Sequence, residues 1–299
     1  MIVTMTKALM NTREVAEYLR IKERKVYDLV AQRRIPCTRA AGRWLFPKEL
    51  IDLWLLRHAE GVTGTATQGE LPAIISGSHD PLLDWAVRES GSGLAVLFNG
   101  SLDGLERFTQ RQALACGLHV LDANSGDYNT PLLQQRLPTE PVVAIEWAWR
   151  EQGLIVAPGN PLGIAELPDT QGKRFALRQK EAGSYLLLDY LLHQVQLTLT
   201  HITAVESPLR SQTEVAVAVA AGEADVGLGI AAAARQLRLD FLPLARERYD
   251  LLVWRHQYFE PSFQKLLALT RTLEFGKRAQ AMGGYDISGL GTVHYNAAL

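Results

Sequence analysis

The sequence predicts an α/β protein with a winged helix-turn-helix at its N-terminal end, and three observations lead there. Of 299 residues, the first sixty hold twelve Lys and Arg against seven Asp and Glu, a net of +5; the whole chain carries −1, which leaves −6 for the rest. Within those sixty residues, two short helical patterns separated by a three-residue break are followed by a hairpin pattern. Beyond residue 71, short apolar runs alternate with helical stretches, the pattern of parallel strands covered on both faces by helices. A basic segment fused to an acidic body points to one domain for a polyanion, nucleic acid above all, and another for a different ligand.

The elements of the basic segment follow in order. Asn11 or Thr12 offers an N-cap, and Val15, Ala16 and Leu19 fall at helical spacing, so residues 12–19 read as a helix. Arg20, Ile21 and Lys22 form the break. A second helix, 23–32, buries Val26, Leu29 and Val30 and leaves Arg24, Lys25, Tyr27 and Asp28 pointing away. Ile35 and Pro36 end it. TRAAGRWLF reads as two strands around Ala41 and Gly42, a wing that would hold Arg39 and Arg43 beside a DNA backbone. Pro47 sits in the first turn of a third helix, KELIDLWLL, with an apolar stripe of Leu50, Ile51, Trp54 and Leu55. The unit needs no metal, and the alternative to DNA binding is a scaffold with a solvated basic face.

TREVAEYL, VYDLVAQRRIP and GRWLFPKELIDLWL, arriving in this order over about a fifth of the chain, resemble the excisionase-like winged helix-turn-helix modules related to the MerR group. The resemblance implies contacts to double-stranded DNA from Lys22, Arg24, Lys25, Tyr27, Arg33 and Arg34, with Arg39 and Arg43 on the wing. Phosphate contacts would supply affinity, and side chains at the start of the second helix would supply sequence choice. It also implies a homodimer or higher homo-oligomer reading two half-sites; the third helix is one candidate for the pairing surface.

Residues 1–60 therefore form the DNA-binding domain and 61–71, rich in Gly, Thr and Ala, the linker. The remaining stretch, about 228 residues, suffices for one large or two small lobes. Its expected strands are 72–76, 94–98, 118–122, 141–149, 153–158, 173–178, 224–230, 240–244 and 249–254. PLLDWAVRES, GLERFTQRQALAC, SYLLLDYLLHQVQL and TEVAVAVAAGE are the expected helices.

Candidate chemistry sits where strands hand over to helices. Ser76, Gly77, Ser78 and His79 precede one helix, Asn99, Gly100 and Ser101 a second, Gly183 and Ser184 a third, and Ser211, Gln212 and Thr213 a fourth. Hydroxyls and free amides at helix starts favour an anion, although each alone is equally a structural cap. The neighbouring glycines would let a ligand approach the backbone.

SGSHDPLLDWA, NGSLDGLERF, RQKEAGSYLLLDYLL, TEVAVAVAAGEADVGLGIAAAA and DFLPLARERYDLLV, spanning Ala73 to Val253, resemble the PBP-like domains of type II periplasmic-binding-protein architecture. These are related to molybdate-binding solute receptors and also occur beside molybdopterin-biosynthesis modules. The resemblance implies a two-lobed domain over 72–299, with lobe one at 72–149 and 245–299, lobe two at 150–244, and a ligand in the cleft between them, whose closure is the signal. Ser78 and Ser101 match the paired hydroxyls that hold oxyanions in molybdate receptors. The implied ligand set is Ser76, Ser78, His79, Asn99, Ser101, Arg178, Gly183, Ser184, Thr213 and Glu214, and the implied effector molybdate or tungstate, with no other cofactor.

The chain departs from that pattern in placing His79, Asp80, Arg178 and Glu214 beside the cleft. Arg178 suits a carboxylate or phosphate, which keeps open a regulator sensing a small organic carboxylate or a molybdenum-cofactor-type ligand. His79 with Asp80 reads more simply as a solvated cap, and His119 as a core histidine. An enzyme of molybdenum-cofactor metabolism is a further alternative, but the sequence shows no base-oriented nucleophile, paired metal ligands or phosphate loop. The start lacks the apolar core of a signal peptide and no run reaches membrane-spanning length, so a cytoplasmic location is expected. Cys37 and Cys116, in different domains, argue against a disulfide framework.

Overall fold

The computed structural model describes residues 9–32, 34–40, 42–57 and 71–297. The chain divides into two compact units, Met1–Glu70 and Leu71–Leu299. Arg33, the turn residue Ala41 and linker positions 61–70 lie outside the described residues.

The first unit runs β1 (Leu9–Asn11), α1 (Thr12–Leu19), α2 (Glu23–Ala31), β2 (Thr38–Ala40), β3 (Arg43–Pro47) and α3 (Lys48–Arg57). Asn11 caps α1 in a capping box, its side chain accepting from the Glu14 amide at 2.9 Å while its own amide donates to the Glu14 carboxylate at 2.8 Å. Arg20, left-handed at φ 55°, ends that helix. Val15, Ala16, Val26, Ile35, Phe46 and Ile51 pack into one core. The wing gains a strand the sequence pattern does not announce: β1 pairs antiparallel with β3, giving the order β1-β3-β2. Pro47 closes β3 opposite Leu9 instead of opening α3. The expected stripe on α3 is divided, with Ile51 buried, Trp54 half-buried, and Leu50 and Leu55 exposed.

The second unit is built on one sheet. Its elements are β4 (Ile74–Gly77), α4 (Pro81–Glu89), β5 (Ala95–Phe98), α5 (Ser101–Thr109), β6 (Ala115–Leu118), α6 (Thr130–Arg136), β7 (Val142–Val156), β8 (Arg174–Ala176), α7 (Gly183–Gln194), β9 (Thr203–Ala204), α8 (Gln212–Ala220), β10 (Val226–Ile230), α9 (Ala231–Gln236), β11 (Asp240–Trp254), α10 (Arg255–Tyr258), α11 (Pro261–Thr270), α12 (Leu273–Met282), β12 (Tyr285–Asp286) and β13 (Val293–Asn296). The strand order is β5-β4-β6-β11-β7-β10-β8-β9, with β12 and β13 also on β7.

The pairs 141–149/153–158 and 240–244/249–254, expected as separate strands, are instead two continuous strands of 15 residues, β7 and β11. They pair antiparallel from Asp240↔Val156 to Trp254↔Val142. At about 3.3 Å per residue each spans roughly 50 Å, enough to run through both halves of the sheet. The expected lobe boundaries, 149/150 and 244/245, therefore fall inside these strands. The sheet is mixed rather than parallel: β4, β5 and β6 run parallel at one end, β8, β9 and β10 at the other, and the long strands are antiparallel to their neighbours.

Helices cover both faces of each half. Ile75, Leu82, Trp147, Leu251, Phe263 and Phe275 form one core, Leu105, Phe108, Leu133 and Leu252 that on the opposite face. The other half is packed by Ile155, Val215, Ala216 and Ile230 on one side and by Leu154, Phe175, Leu187 and Leu228 on the other. Each fully buried Phe or Leu stabilises the fold by about 1.5–3 kcal/mol. Leu71, assigned by composition to the linker, packs against this core. The helix expected to run from Gly104 to Cys116 ends at Thr109, and the ALAC segment turns into β6. No helix among the described residues is long and apolar enough to cross a membrane.

Candidate functional site

In the first unit, Lys22, Arg24, Lys25, Tyr27 and Arg34 are exposed at or near α2, and Arg39 and Arg43 are exposed on the wing. Among the described residues, the ion pairs of this unit join Arg13 to Glu17 and Lys48 to Asp52. Trp54 donates from Nε1 to the Arg34 carbonyl at 2.7 Å, fixing the chain between α2 and the wing. The Arg39 guanidinium lies 5.5 Å from the Trp44 ring centroid, and this cation–π contact steadies a cation that would otherwise swing freely.

In the second unit, the candidate ligand residues gather where β4, β5, β6 and β8 end. Gly77 closes β4 at φ +111°, and a Cβ there would overlap the Gly117 carbonyl, so a side chain is excluded twice over. That turn places Ser78, fully buried, with its amide donating to Gly117 O at 2.9 Å and its carbonyl accepting from the Tyr249 hydroxyl at 2.6 Å. The Ser78 hydroxyl lies 2.7 Å from His119 Nε2, and His119 Nδ1 lies 2.7 Å from Glu247 Oε2. Glu247 also accepts from Gln152 Nε2 at 2.8 Å and from Arg150, whose guanidinium in turn reaches Asp80 at 3.0 Å.

Every one of these side chains is buried. Burial would raise the Glu247 carboxyl, but Arg150 and His119 beside it draw it down to about 2. Burial also outweighs the adjacent Glu247 at His119 and holds the imidazole below its ordinary range. Asp80 is a cap, accepting from the Leu83 amide at 2.7 Å, but not a solvated one: it is fully buried and also accepts from Trp147, Arg150 and Tyr285.

Ser101 begins α5, and its hydroxyl faces the His119 amide at 3.4 Å. Gly183 begins α7 directly against His119, where a Cβ would overlap the His119 carbonyl oxygen. The loops of the two halves are joined by hydrogen bonds from the Leu102 amide to Glu181 O and from Gln179 Nε2 to Asn99 O, both 3.0 Å. Arg178 is buried, donating from Nε to Leu209 O at 3.1 Å and from Nη2 to Arg210 O at 2.9 Å. Its Nη1 has no hydrogen-bond partner, and neither do the Ser184 hydroxyl and both amide atoms of Gln212, all buried. Desolvation lowers the Arg178 guanidinium to about 10, and it lies close enough to His79 and His119 to depress both.

Four expected residues stand apart from this group. Ser76 spends its hydroxyl on the Gly104 and Ala115 carbonyls, at 2.9 and 3.3 Å, packing α5 onto β4. Glu214 is exposed and accepts from the Arg210 amide at 2.7 Å. Thr213 and His79 instead line an open cleft of about 410 Å³ with Trp85, Arg88, Arg235 and Arg278.

Comparison with known proteins matches residues 84–271 to the PBP superfamily domain and residues 9–59 to a helix-turn-helix domain. The chain belongs to the PBP superfamily domain family. A helix-turn-helix joined to a PBP-like domain is the architecture of a ligand-binding, DNA-binding regulator. The chain is similar to the uncharacterized protein YvgK of Bacillus subtilis, 24% identical over 296 residues that cover 94% of this chain and 96% of that one. A second relative, an uncharacterized protein in the 5′ region of a ferredoxin 2Fe-2S gene of Clostridium pasteurianum, is 33% identical over 55 residues, covering 18% of this chain and 49% of that protein. Among solved structures, a hydrogen-peroxide-bound mutant of OxyR from Corynebacterium glutamicum matches with a TM-score of 0.48 and 14% identity, covering 91% of this chain and 89% of that one. The effector-binding domain of QuiR in complex with shikimate matches with a TM-score of 0.44 and 12% identity, covering 69% and 96%.

Sequence reading missed Arg150, Gln152, Glu247 and the role of His119, and took the chain to lack a base-oriented nucleophile. The structure corrects this: a serine hydroxyl is aligned on a histidine that is aligned on a carboxylate. A signal was present, since WREQGLIV and ARERYDLLV each set charged or amide side chains inside runs otherwise apolar enough for buried strands.

Proposed function

We propose that this protein is a DNA-binding transcriptional regulator whose PBP-like domain binds a small oxyanion, molybdate or tungstate, between its lobes. The observation that carries the reading is three buried donors without partners, Arg178 Nη1, the Ser184 hydroxyl and Gln212 Nε2. A buried polar group left unsatisfied costs about 1–3 kcal/mol, and an anion accepting from all three would recover that cost. Hydrogen bonds between the lobe loops at Asn99–Gln179 and Leu102–Glu181 describe a closed arrangement that such a ligand would favour. The exposed cations of α2 and the wing supply the DNA face, used as a homodimer in the cytoplasm, and the protein carries out no chemistry on its ligand.

A second reading, an organic carboxylate or cofactor-type ligand, is favoured by the adjoining cleft of about 410 Å³ with its three arginines, which exceeds what an inorganic oxyanion needs. Thermal shifts against molybdate, tungstate, sulfate, phosphate, formate and larger carboxylates test both. A ligand at 100 times its Kd adds about 2.7 kcal/mol. A shift with molybdate or tungstate alone is expected; a shift with organic acids alone would replace the first reading by the second, and no shift with any would refute both.

A further inference from the structure

We propose that Ser78, His119 and Glu247 form a proton-linked latch, such that an anion bound against Ser78 brings one proton onto His119. The inference rests on the anion-site reading above and adds to it a mechanism of affinity and pH response.

It follows from counting hydrogens along the chain of contacts. Glu247 accepts from Arg150 and from Gln152, and a carboxylate has no hydrogen to give, so His119 Nδ1 must carry the proton between them. With a neutral ring, Nε2 is then a bare acceptor, and the Ser78 hydroxyl, 2.7 Å away, must donate to it. In that state Ser78 offers any ligand its oxygen lone pairs, which repel an anion. A proton arriving at Nε2 reverses the bond: the imidazolium donates to the Ser78 oxygen, and the serine hydrogen is released toward the ligand. One proton from solvent thus adds both a charge and a donor, and no covalent bond between heavy atoms is made or broken.

The surrounding charges point the same way. His119 is faced by Arg150 on β7, Glu247 and Tyr249 on β11, Arg178 beyond β8, and Ser101 at the start of α5, with Asp80 on the far side of Arg150. Two guanidiniums balance two carboxylates, so the free pocket suits a neutral histidine, as the depression of its pKa by burial agrees. An anion would leave the pocket net negative, and a proton taken up by the His119 imidazole would restore the balance.

The same alignment serves acyl transfer in hydrolases. Here the Ser78 amide is committed to Gly117 O and its carbonyl to Tyr249, so the amide beside the hydroxyl cannot stabilise an oxyanion intermediate. The geometry therefore points to a binding device.

Titration calorimetry of the full chain with tungstate and with molybdate, at pH 7.5 in buffers of widely different ionisation enthalpy, counts the protons taken up. About one per anion is expected, with Kd rising about tenfold per pH unit from below the ordinary histidine range up through pH 7.5. His119→Gln should abolish both the uptake and the pH dependence. Should that variant fail to fold, the ¹⁵N signals of the His119 ring in the wild-type protein decide, passing from a neutral Nδ1–H tautomer to the imidazolium as anion is added. Binding without proton uptake, at a Kd independent of pH, overturns the latch and leaves the anion site standing. Absence of binding by either anion overturns the site and the latch together.

Discussion

Replacing Glu247 by Gln separates the contribution of the buried polar network from that of the apolar core around it. Glu247 is fully buried and takes hydrogen bonds from Arg150, Gln152 and His119. Glutamine keeps the shape but presents one acceptor oxygen and an amide that faces donors. Removing one member of a buried ion pair costs about 3–5 kcal/mol. Arg150 keeps Asp80 at 3.0 Å, which places the expected loss near the lower end, about 3 kcal/mol. The pH dependence gives an independent check. The carboxyl stands at about 2 in the folded protein against an ordinary 4.5, so its contribution is complete above 4.5 and is lost as pH falls toward 2. Wild-type stability should therefore fall by about 1.4 kcal/mol per pH unit across that window relative to the variant. Urea unfolding followed by tryptophan fluorescence measures both quantities. With m of about 2 kcal/mol/M, the midpoint of the second unit should drop by about 1.5 M at pH 7, and the gap should narrow by pH 4. A loss below about 1 kcal/mol, or a gap that does not change with pH, would refute the assignment of Glu247 as an ionised partner of Arg150.

Two further outcomes concern the two units separately. Arg24→Ala or Arg43→Ala should weaken DNA binding and lower the salt dependence, the slope of log K against log salt falling by about 0.9 for each phosphate that is no longer neutralised, with anion affinity unchanged; gel-shift titrations at several salt concentrations measure this, and unaltered DNA affinity in both variants would exclude the α2 and wing face. Gly183→Ala should cost about 1–3 kcal/mol of stability and at least tenfold in anion affinity, because the added methyl drives the start of α7 away from His119; a calorimetric Kd equal to wild type would show that α7 does not close on the ligand.

The elements most legible in the sequence were those with local signals. The Asn11–Glu14 capping box, the apolar spacing of α1 and α2, and the turn at Gly42 are written within a few residues of one another, and α1 begins where the cap says it should. The hydroxyl-rich starts of α5 and α7 were equally readable, and Ser78, Ser101 and Gly183 do meet at His119 in the fold. What escaped depends on partners far apart in the chain. Nothing near Leu9 announces that it will pair with Pro47, and the continuity of β7 through Glu151 and Gln152 is visible only once β10, β11 and β12 lie against it. Arg150 and Glu247 fell in the gaps between expected strands, since the opposite charge that lets each be buried lies 97 positions away. Gln212 was passed over for Thr213 and Glu214, since which residue at a helix start turns inward is decided by packing against Gly229 rather than by spacing.

The most direct test of the anion site is crystallographic: crystals of the full chain grown with tungstate, with data collected at the tungsten absorption edge. An anomalous peak within hydrogen-bonding reach of Arg178 Nη1, Ser184 and Gln212, adjoining Ser78, is the expected result. A peak confined to the open cleft of Arg88, Arg235 and Arg278, or no ordered peak at saturating tungstate, would contradict it.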